Sequence, residues 1–246
     1  MTTVQQALER GIALLTQATQ QSARLDAQVL LGHVLGVERT ALYAYPETSL
    51  TSEQEQYFFT LIERRARGEP VAYLVGHKEF FGLDFVVDKR VLIPRPETEL
   101  LVETALSVCR ERLEDGQTPI VADIGTGSGV IPITLAVQEP RLPYLYATDI
   151  SRDALEVARL NCRRHHVEQR IHLLHGDLLA PLPEPVDVFT ANLPYVGTNE
   201  MDIVDEEVRG YEPHLALFSG TEGLDTLRHL LLQAQQSRVV KEGSVF

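Results

Sequence analysis

Asn192-Leu193-Pro194-Tyr195 is the stretch of this chain best equipped for chemistry on a planar nitrogen. The Asn192 side-chain oxygen and the Leu193 carbonyl can each accept one N–H of an amide or amino group, and the Tyr195 ring can lie against its plane. The tetrapeptide follows Val186-Asp187-Val188-Phe189-Thr190-Ala191, an apolar run that reads as a buried strand closed by a proline turn. Open α/β sheets bind their ligands at the carboxyl ends of such strands. An ordinary strand-to-loop turn would also use Asn-x-Pro, so the rest of the chain must decide.

Three other strand ends carry matching chemistry. Asp123-Ile124-Gly125-Thr126-Gly127-Ser128-Gly129 closes one strand, with glycines that let the backbone pass close under a ligand and a helix N-terminus beyond. A dinucleotide fingerprint would need glycine at position 130, which is Val130; the spacing G-x-G-x-G suits a nucleoside site with no pyrophosphate demand. The next strand ends at Asp149-Ile150, where a carboxylate can accept both ribose hydroxyls. The third ends at Gly176-Asp177, where an acid or nearby backbone can meet an adenine amino group. One glycine loop is weak evidence; four such ends on successive strands are strong together.

The elements that must hold these residues follow from periodicity. Strands read at Ile120–Ile124, Tyr144–Thr148, Ile171–Leu174 and Val186–Ala191, with helices at 130–138, 152–165 and, after a long loop, 222–236. Alternating strands and helices predict a mostly parallel sheet covered on both faces. Residues 1–72 read as a small helical domain: Val4, Leu8, Ile12 and Leu15 recur at helical spacing, Leu25, Val29 and the Leu30–Leu35 run repeat it, and Ser52 with Glu55 has capping-box spacing. This domain reads as a helical bundle or, more sharply, a recognition module, with His33 a core or boundary residue. Residues 73–95 form a linker containing a β-hairpin around Phe80-Phe81-Gly82, and residues 96–246 hold the nucleoside site. Ile93-Pro94-Arg95-Pro96-Glu97-Thr98-Glu99 is a stiff loop opening a helix, with Thr98 a candidate cap.

At 246 residues the chain can bury a proper core, and 44% hydrophobic with 23% charged residues is ordinary for a globular protein. A net charge of −13, with no Lys/Arg-rich run, disfavours a nucleic-acid duplex as main partner. Cys109 and Cys162 lack metal-site or C-x-x-C spacing and read as reduced thiols, with no metal expected. The start has no signal-peptide pattern and no apolar run approaches membrane-span length, so a cytoplasmic, soluble protein is expected.

On these motifs the sequence resembles S-adenosylmethionine-dependent class I methyltransferases, and within them the HemK/PrmC family, glutamine N5-methyltransferases of peptide-chain release factors. The resemblance rests on Phe80-Phe81-Gly82, Leu92 to Glu99, Asp123 to Gly129, Ala147 to Ser151 and Tyr211-Glu212-Pro213. It implies a Rossmann-like sheet and S-adenosyl-L-methionine as cofactor, with S-adenosylhomocysteine as product. It also implies a monomer that acts on release factors, at the glutamine of their Gly-Gly-Gln loop. The cofactor set it implies is Asp123, Gly125, Thr126, Gly127, Ser128, Gly129, Asp149, Ile150, Asp177, Leu178 and Asn192. Substrate contacts are expected from Arg95, Pro96 and Thr98, and from Asn192, Leu193, Pro194 and Tyr195, the last four also catalytic.

Two departures stand out. The family pattern is Asn-Pro-Pro-Tyr; Leu193 keeps the carbonyl acceptor but gives up a fixed φ. Family members also continue through two further strands, whereas Gly243-Ser244-Val245-Phe246 reads as just entering a fifth, so the sequence looks C-terminally incomplete. Competing readings are an N6-adenine methyltransferase acting on a flipped base, a glutamine methyltransferase of a ribosomal protein, a non-catalytic cofactor-binding homologue and, weakest, a nicotinamide dehydrogenase.

Overall fold

A computed structural model describes residues 2–18, 22–237 and 239–245; Met1 and Phe246, which entered the readings of the two ends, lie outside them. The chain divides into two units, Met1–Gly76 with Glu206–Tyr211, and His77–Asp205 with Glu212–Phe246.

The first unit is helical: α1 (Val4–Gln17), α2 (Ala23–Leu35), α3 (Arg39–Ala44), α4 (Ser52–Ala66) and α5 (Val71–Val75). Val4, Leu8 and Leu15 share a core with Leu30, Leu31, Phe58 and Leu61. Leu25, within α2 as its spacing predicts, is 45% exposed. The buried face of α2 is formed by Ala23, Asp26, Ala27, Gln28, Leu30 and Leu31, and Leu25 lies off it. The capping box of α4 differs from the Ser52/Glu55 reading, because Thr51 takes the cap. Its hydroxyl accepts from the Gln54 N–H while the Gln54 side chain accepts from the Thr51 N–H. Thr51-x-x-Gln54 has the same spacing one residue earlier, leaving Ser52 inside the helix. Arg65, 5% exposed, donates from Nε to Asp26 at 2.7 Å and from a terminal nitrogen to Glu207 at 2.6 Å, which binds Glu206–Tyr211 into this unit.

The second unit opens with a hairpin, β1 (His77–Phe80) and β2 (Leu83–Val86), turned by Phe81 and Gly82, both at positive φ. Two such residues give the turn the twist that paired strands need. Phe80 and Phe85 pack in the unit's own core beside Val102 and Leu106. Those two lie on α6 (Thr98–Glu114), whose cap position is Glu97; Thr98 is the first helical residue and not the cap. There follow β3 (Val121–Ile124), α7 (Val130–Gln138), β4 (Leu145–Asp149), α8 (Arg152–Arg164), β5 (Ile171–His175) and β6 (Val186–Ala191). The long loop expected next carries α9 (Glu206–Tyr211) and α10 (His214–Leu217) before α11 (Asp225–Gln236) and β7 (Val240–Val245). The bounds of β6 and α7 are those read from the sequence, and where other ends differ they shift by one to three residues.

The five central strands lie in the order β5-β4-β3-β6-β7, all neighbours parallel. Successive side chains alternate between faces. Val121, Leu145 and Ala147 enter one core layer; Ala122, Ile124 and Tyr146 enter the other, with Phe189 and Leu230. Cys109 and Cys162 are buried free thiols, and desolvation pushes them up to about 11 and about 12, so they serve as core and not as nucleophiles. No helix among the described residues is long and apolar enough to cross a membrane.

Phe58 is fully buried, and a Cβ on Gly11 would come within 2.8 Å of its ring. With contacts that close, Phe58→Ala is expected to cost about 3–5 kcal/mol. The change should appear as faster hydrogen exchange in α1, α2 and α4.

Candidate active site

Because β3 lies between β4 and β6, the loops that follow these three strands converge at one end of the sheet, where the strand order reverses. They surround a cavity of about 370 Å³. Its floor is the Gly125–Ser128 backbone. A Cβ on Gly127 would meet nothing within 4 Å, and its φ of +55° is one that side chains rarely adopt. A Cβ on Gly125 would lie 2.8 Å from Leu193 Cδ2, which brings the tetrapeptide directly against the glycine loop.

Asp149 ties this floor to the end of β4. One carboxylate oxygen accepts the Gly127 N–H and the other the Ser151 N–H, both at 2.8 Å. Burial raises its pKa, against the pull of those two bonds. Each oxygen keeps lone-pair capacity for a ligand hydroxyl. Behind the loop Asp123 is 1% exposed and accepts from the Thr190 hydroxyl at 2.7 Å, its partner across the β3–β6 pairing. Asp123 Oδ2 and Thr126 Oγ1 are buried with no hydrogen-bond partner among the described residues.

At the next strand end Leu178 adopts a φ of +49°, held there by the Thr148 hydroxyl donating to its carbonyl at 2.9 Å. A branched side chain in that conformation is strained, and such strain persists where surrounding bonds enforce it. Asp177 Oδ2 accepts from Gln233 Nε2 at 3.1 Å, with His229 Nδ1 at 3.6 Å.

Asn192 lines the same cavity. Its Nδ2 donates to Thr98 Oγ1 at 3.2 Å, and among the described residues no group donates to its Oδ1. Leu193, Pro194, Thr98 and Pro94 line the same wall. The other expected residues fall outside the cavity: Tyr195 is 75% exposed, Pro96 is at the surface, Arg95 is paired with Glu212, and Gly129 caps α7 against Ala158.

Several lining residues escaped sequence reading. His229 and Thr226 come from α11, where Asp225, Thr226, His229 and Gln233 recur at helical spacing; Phe218 follows α10. Asn161, fully buried on α8, donates to the carbonyls of Ser128 and Val86 and accepts the Val86 N–H, fastening the glycine loop to the hairpin.

These residues fit S-adenosylmethionine. A floor in which Gly125 and Gly127 carry no side chain, the Asp149 carboxylate and the unpartnered polar atoms of Asp123 and Thr126 at the loop match a nucleoside joined to an amino acid. Carboxylates of Asp149, Asp177 and Asp225 line the cavity, while Arg90, on its rim, is neutralised by three contacts from Asp88 and one from Glu156. That field favours a sulfonium and an ammonium over a pyrophosphate. No group of three or more His, Cys, Asp or Glu among the described residues is arranged to hold a metal.

Fold and site together define an S-adenosylmethionine-dependent methyltransferase. Residues 6–76 match the PrmC N-terminal domain, and residues 98–216 the methyltransferase small domain. The chain is 40% identical over 234 residues to a release factor glutamine methyltransferase of Koribacter versatilis, covering 94% of this chain and 81% of that one. It is 44% identical over 230 residues to a protein of the same name from Moorella thermoacetica, covering 93% and 79%. The hMettl16 catalytic domain, solved with a MAT2A 3′UTR hairpin, shares the fold at 15% identity and a TM-score of 0.50, over 81% of this chain and 68% of that one. The chain belongs to the family of release factor glutamine methyltransferases.

Desolvation pushes the Asp123 carboxyl from 3.8 up to about 6, opposed by the Thr190 hydroxyl that donates to Oδ1. The neutral acid is tolerated below its unfolded value. As pH rises through about 6 the fold must hold a desolvated anion, so roughly 3 kcal/mol of stability is lost by neutral pH. Asp123→Asn, neutral throughout, should raise the thermal midpoint of the cofactor-free protein at about pH 7.5 and leave it little changed near pH 4.

Proposed function

We propose that this enzyme transfers the methyl of S-adenosylmethionine to the side-chain amide nitrogen of the glutamine in the Gly-Gly-Gln loop of a peptide-chain release factor. The carrying observation is the Asn192 side chain: it lines the cavity, its nitrogen is engaged by Thr98, its oxygen accepts no hydrogen bond among the described residues, and its neighbour Leu193 lies against the glycine floor. An amide nitrogen is a poor nucleophile because its lone pair is delocalised into the carbonyl. Deprotonation by a side chain is not a practical route at neutral pH. Asn192 Oδ1 and the Leu193 carbonyl would each accept one of its N–H groups, favouring a pyramidal nitrogen whose lone pair is free. Bonds that strengthen as the nitrogen pyramidalises lower the barrier without merely tightening ground-state binding.

The bound cofactor supplies an electrophilic methyl on a sulfonium, which leaves as a neutral thioether. Gly125, Gly127 and Asp149 would hold the methionine and ribose parts, and Asp177 with Leu178 the adenine, so that the methyl faces Asn192 in line. After transfer the substrate nitrogen sheds one proton to solvent. Tyr195, exposed beside the mouth, would close over the amide plane when the substrate loop covers it, and Pro96 would meet the substrate backbone. The helical first unit would recognise the release factor, with the enzyme acting as a cytoplasmic monomer. The net charge of −13 supports a protein substrate over nucleic acid.

The test is transfer of labelled methyl to a release factor, to its Gln-to-Ala loop variant and to unmethylated nucleic acid. Label on the wild-type factor alone is the expected result; label on nucleic acid would overturn the substrate. In the same assay Asn192→Ala should lose about 100-fold or more in turnover, the scale for removing one transition-state hydrogen-bonding group. Affinity for S-adenosylhomocysteine should change little, and unchanged turnover would discard the mechanism.

A further inference from the structure

Glu212 is a carboxylate 3% exposed in a strongly acidic protein, and nothing in the reaction above uses it. A buried carboxylate is costly unless every lone pair finds a partner. Here Oε2 accepts the Ile93 N–H at 3.0 Å, and Oε1 accepts the Arg95 guanidinium at 2.5 Å. Both bonds grip one short segment, Ile93-Pro94-Arg95, whose Pro94 lines the cavity. The Arg95 carbonyl then accepts the Thr98 N–H at 3.1 Å, which starts α6. Thr98, 8% exposed, accepts the Asn192 side-chain N–H. Two prolines flank Arg95 and fix φ on either side, so the segment has little freedom to absorb a displacement.

A continuous path therefore runs from a buried anion, through a stiff loop, to the side chain that faces the substrate. We propose that Glu212 is a positioning residue for methyl transfer. Through Arg95 and Thr98 it holds Asn192 with its nitrogen turned to the wall and its oxygen towards the substrate amide. The inference rests on the functional reading above and deepens it. It also gives a task to two stretches that carry the family resemblance, Leu92 to Glu99 and Tyr211-Glu212-Pro213. Arg95, paired with Glu212, then serves chiefly inside this path and not as a direct substrate contact.

The test compares wild type with Glu212→Gln, which keeps shape and an acceptor for Ile93 but not the charge for Arg95, and with Thr98→Val and Thr98→Ser. Glu212→Gln and Thr98→Val should each lower kcat on the release factor about 10-fold or more, while the dissociation constant for S-adenosylhomocysteine stays within about twofold. Thr98→Ser should recover most of the loss seen with Val. The double variant Glu212→Gln/Thr98→Val should be little worse than the worse single one, because both break the same path. Independently of turnover, the Asn192 side-chain amide resonances, assigned by their loss in Asn192→Ala, should shift or split in both single variants. Undisturbed resonances, or unaltered kcat in Glu212→Gln, would overturn the proposal. So would a loss of cofactor affinity equal to the loss of rate, which would make Glu212 a general structural residue. A wild-type protein that fails to methylate the release factor would instead refute the functional reading, and the resonances would still decide the positioning role.

Discussion

The pairing of β3 with strands on both sides sets the geometry on which the rest of the site depends. Asp123 lies opposite Ala147 on β4 and Thr190 on β6, so the residues after Ile124 enter a gap bounded by the loops that leave both neighbours. Shifting either register by one residue would exchange every buried side chain of that strand between the two faces. The Thr190 hydroxyl would then leave Asp123, and the tetrapeptide would leave the glycine floor. Register is held because both faces are packed, with all four β3 residues buried. The glycine loop, Asp149 and the Asn192–Tyr195 tetrapeptide are thus placed together by the core itself, before any local contact in the loops.

Electrostatics explain why so acidic a chain can keep buried carboxylates near its cavity. Asp149 is desolvated, yet two backbone N–H groups point at its oxygens; Glu212 is held by a guanidinium and a backbone N–H. Asp123 is the least well compensated, with one oxygen unpaired among the described residues. A cationic ligand entering this field offsets part of the cost, so cofactor binding and the burial of these acids support each other. Arg90, the guanidinium on the rim, is already enclosed by Asp88, which leaves the cavity field negative.

The parts of the site that could be read in the sequence are those fixed by local geometry. Gly125 to Gly129, Asp149, Asp177 and Asn192 each stand at the end of a strand whose apolar run is visible in one dimension. The residues that could not be read, His229, Phe218, Asn161 and Glu212, act across 33 to 119 positions of chain. Their roles come from packing, and nothing in their immediate neighbours announces it. Glu212 is instructive, because its motif was noticed but its function required seeing Ile93 and Arg95 beside it. The fold was more legible than the caps: Thr51 and Ser52 both satisfy the capping spacing, and only three-dimensional context chooses between them.

Leu193 shows how such a site absorbs a change of residue type. A proline would stiffen the loop through the unfolded chain, an effect worth about 0.4–1 kcal/mol where the backbone is compatible. Leucine gives that up but is partly buried against the core layer containing Ile124 and Phe189, and its Cδ2 fills the space beside Gly125. Burying about half a leucine side chain contributes roughly 1 kcal/mol, the same scale as the restraint lost. The acceptor proposed at position 193 is a backbone carbonyl, which does not depend on the side chain. Packing against Gly125 therefore replaces a torsional lock with a contact lock. It also links the tetrapeptide to the glycine loop more directly than a fixed φ alone would.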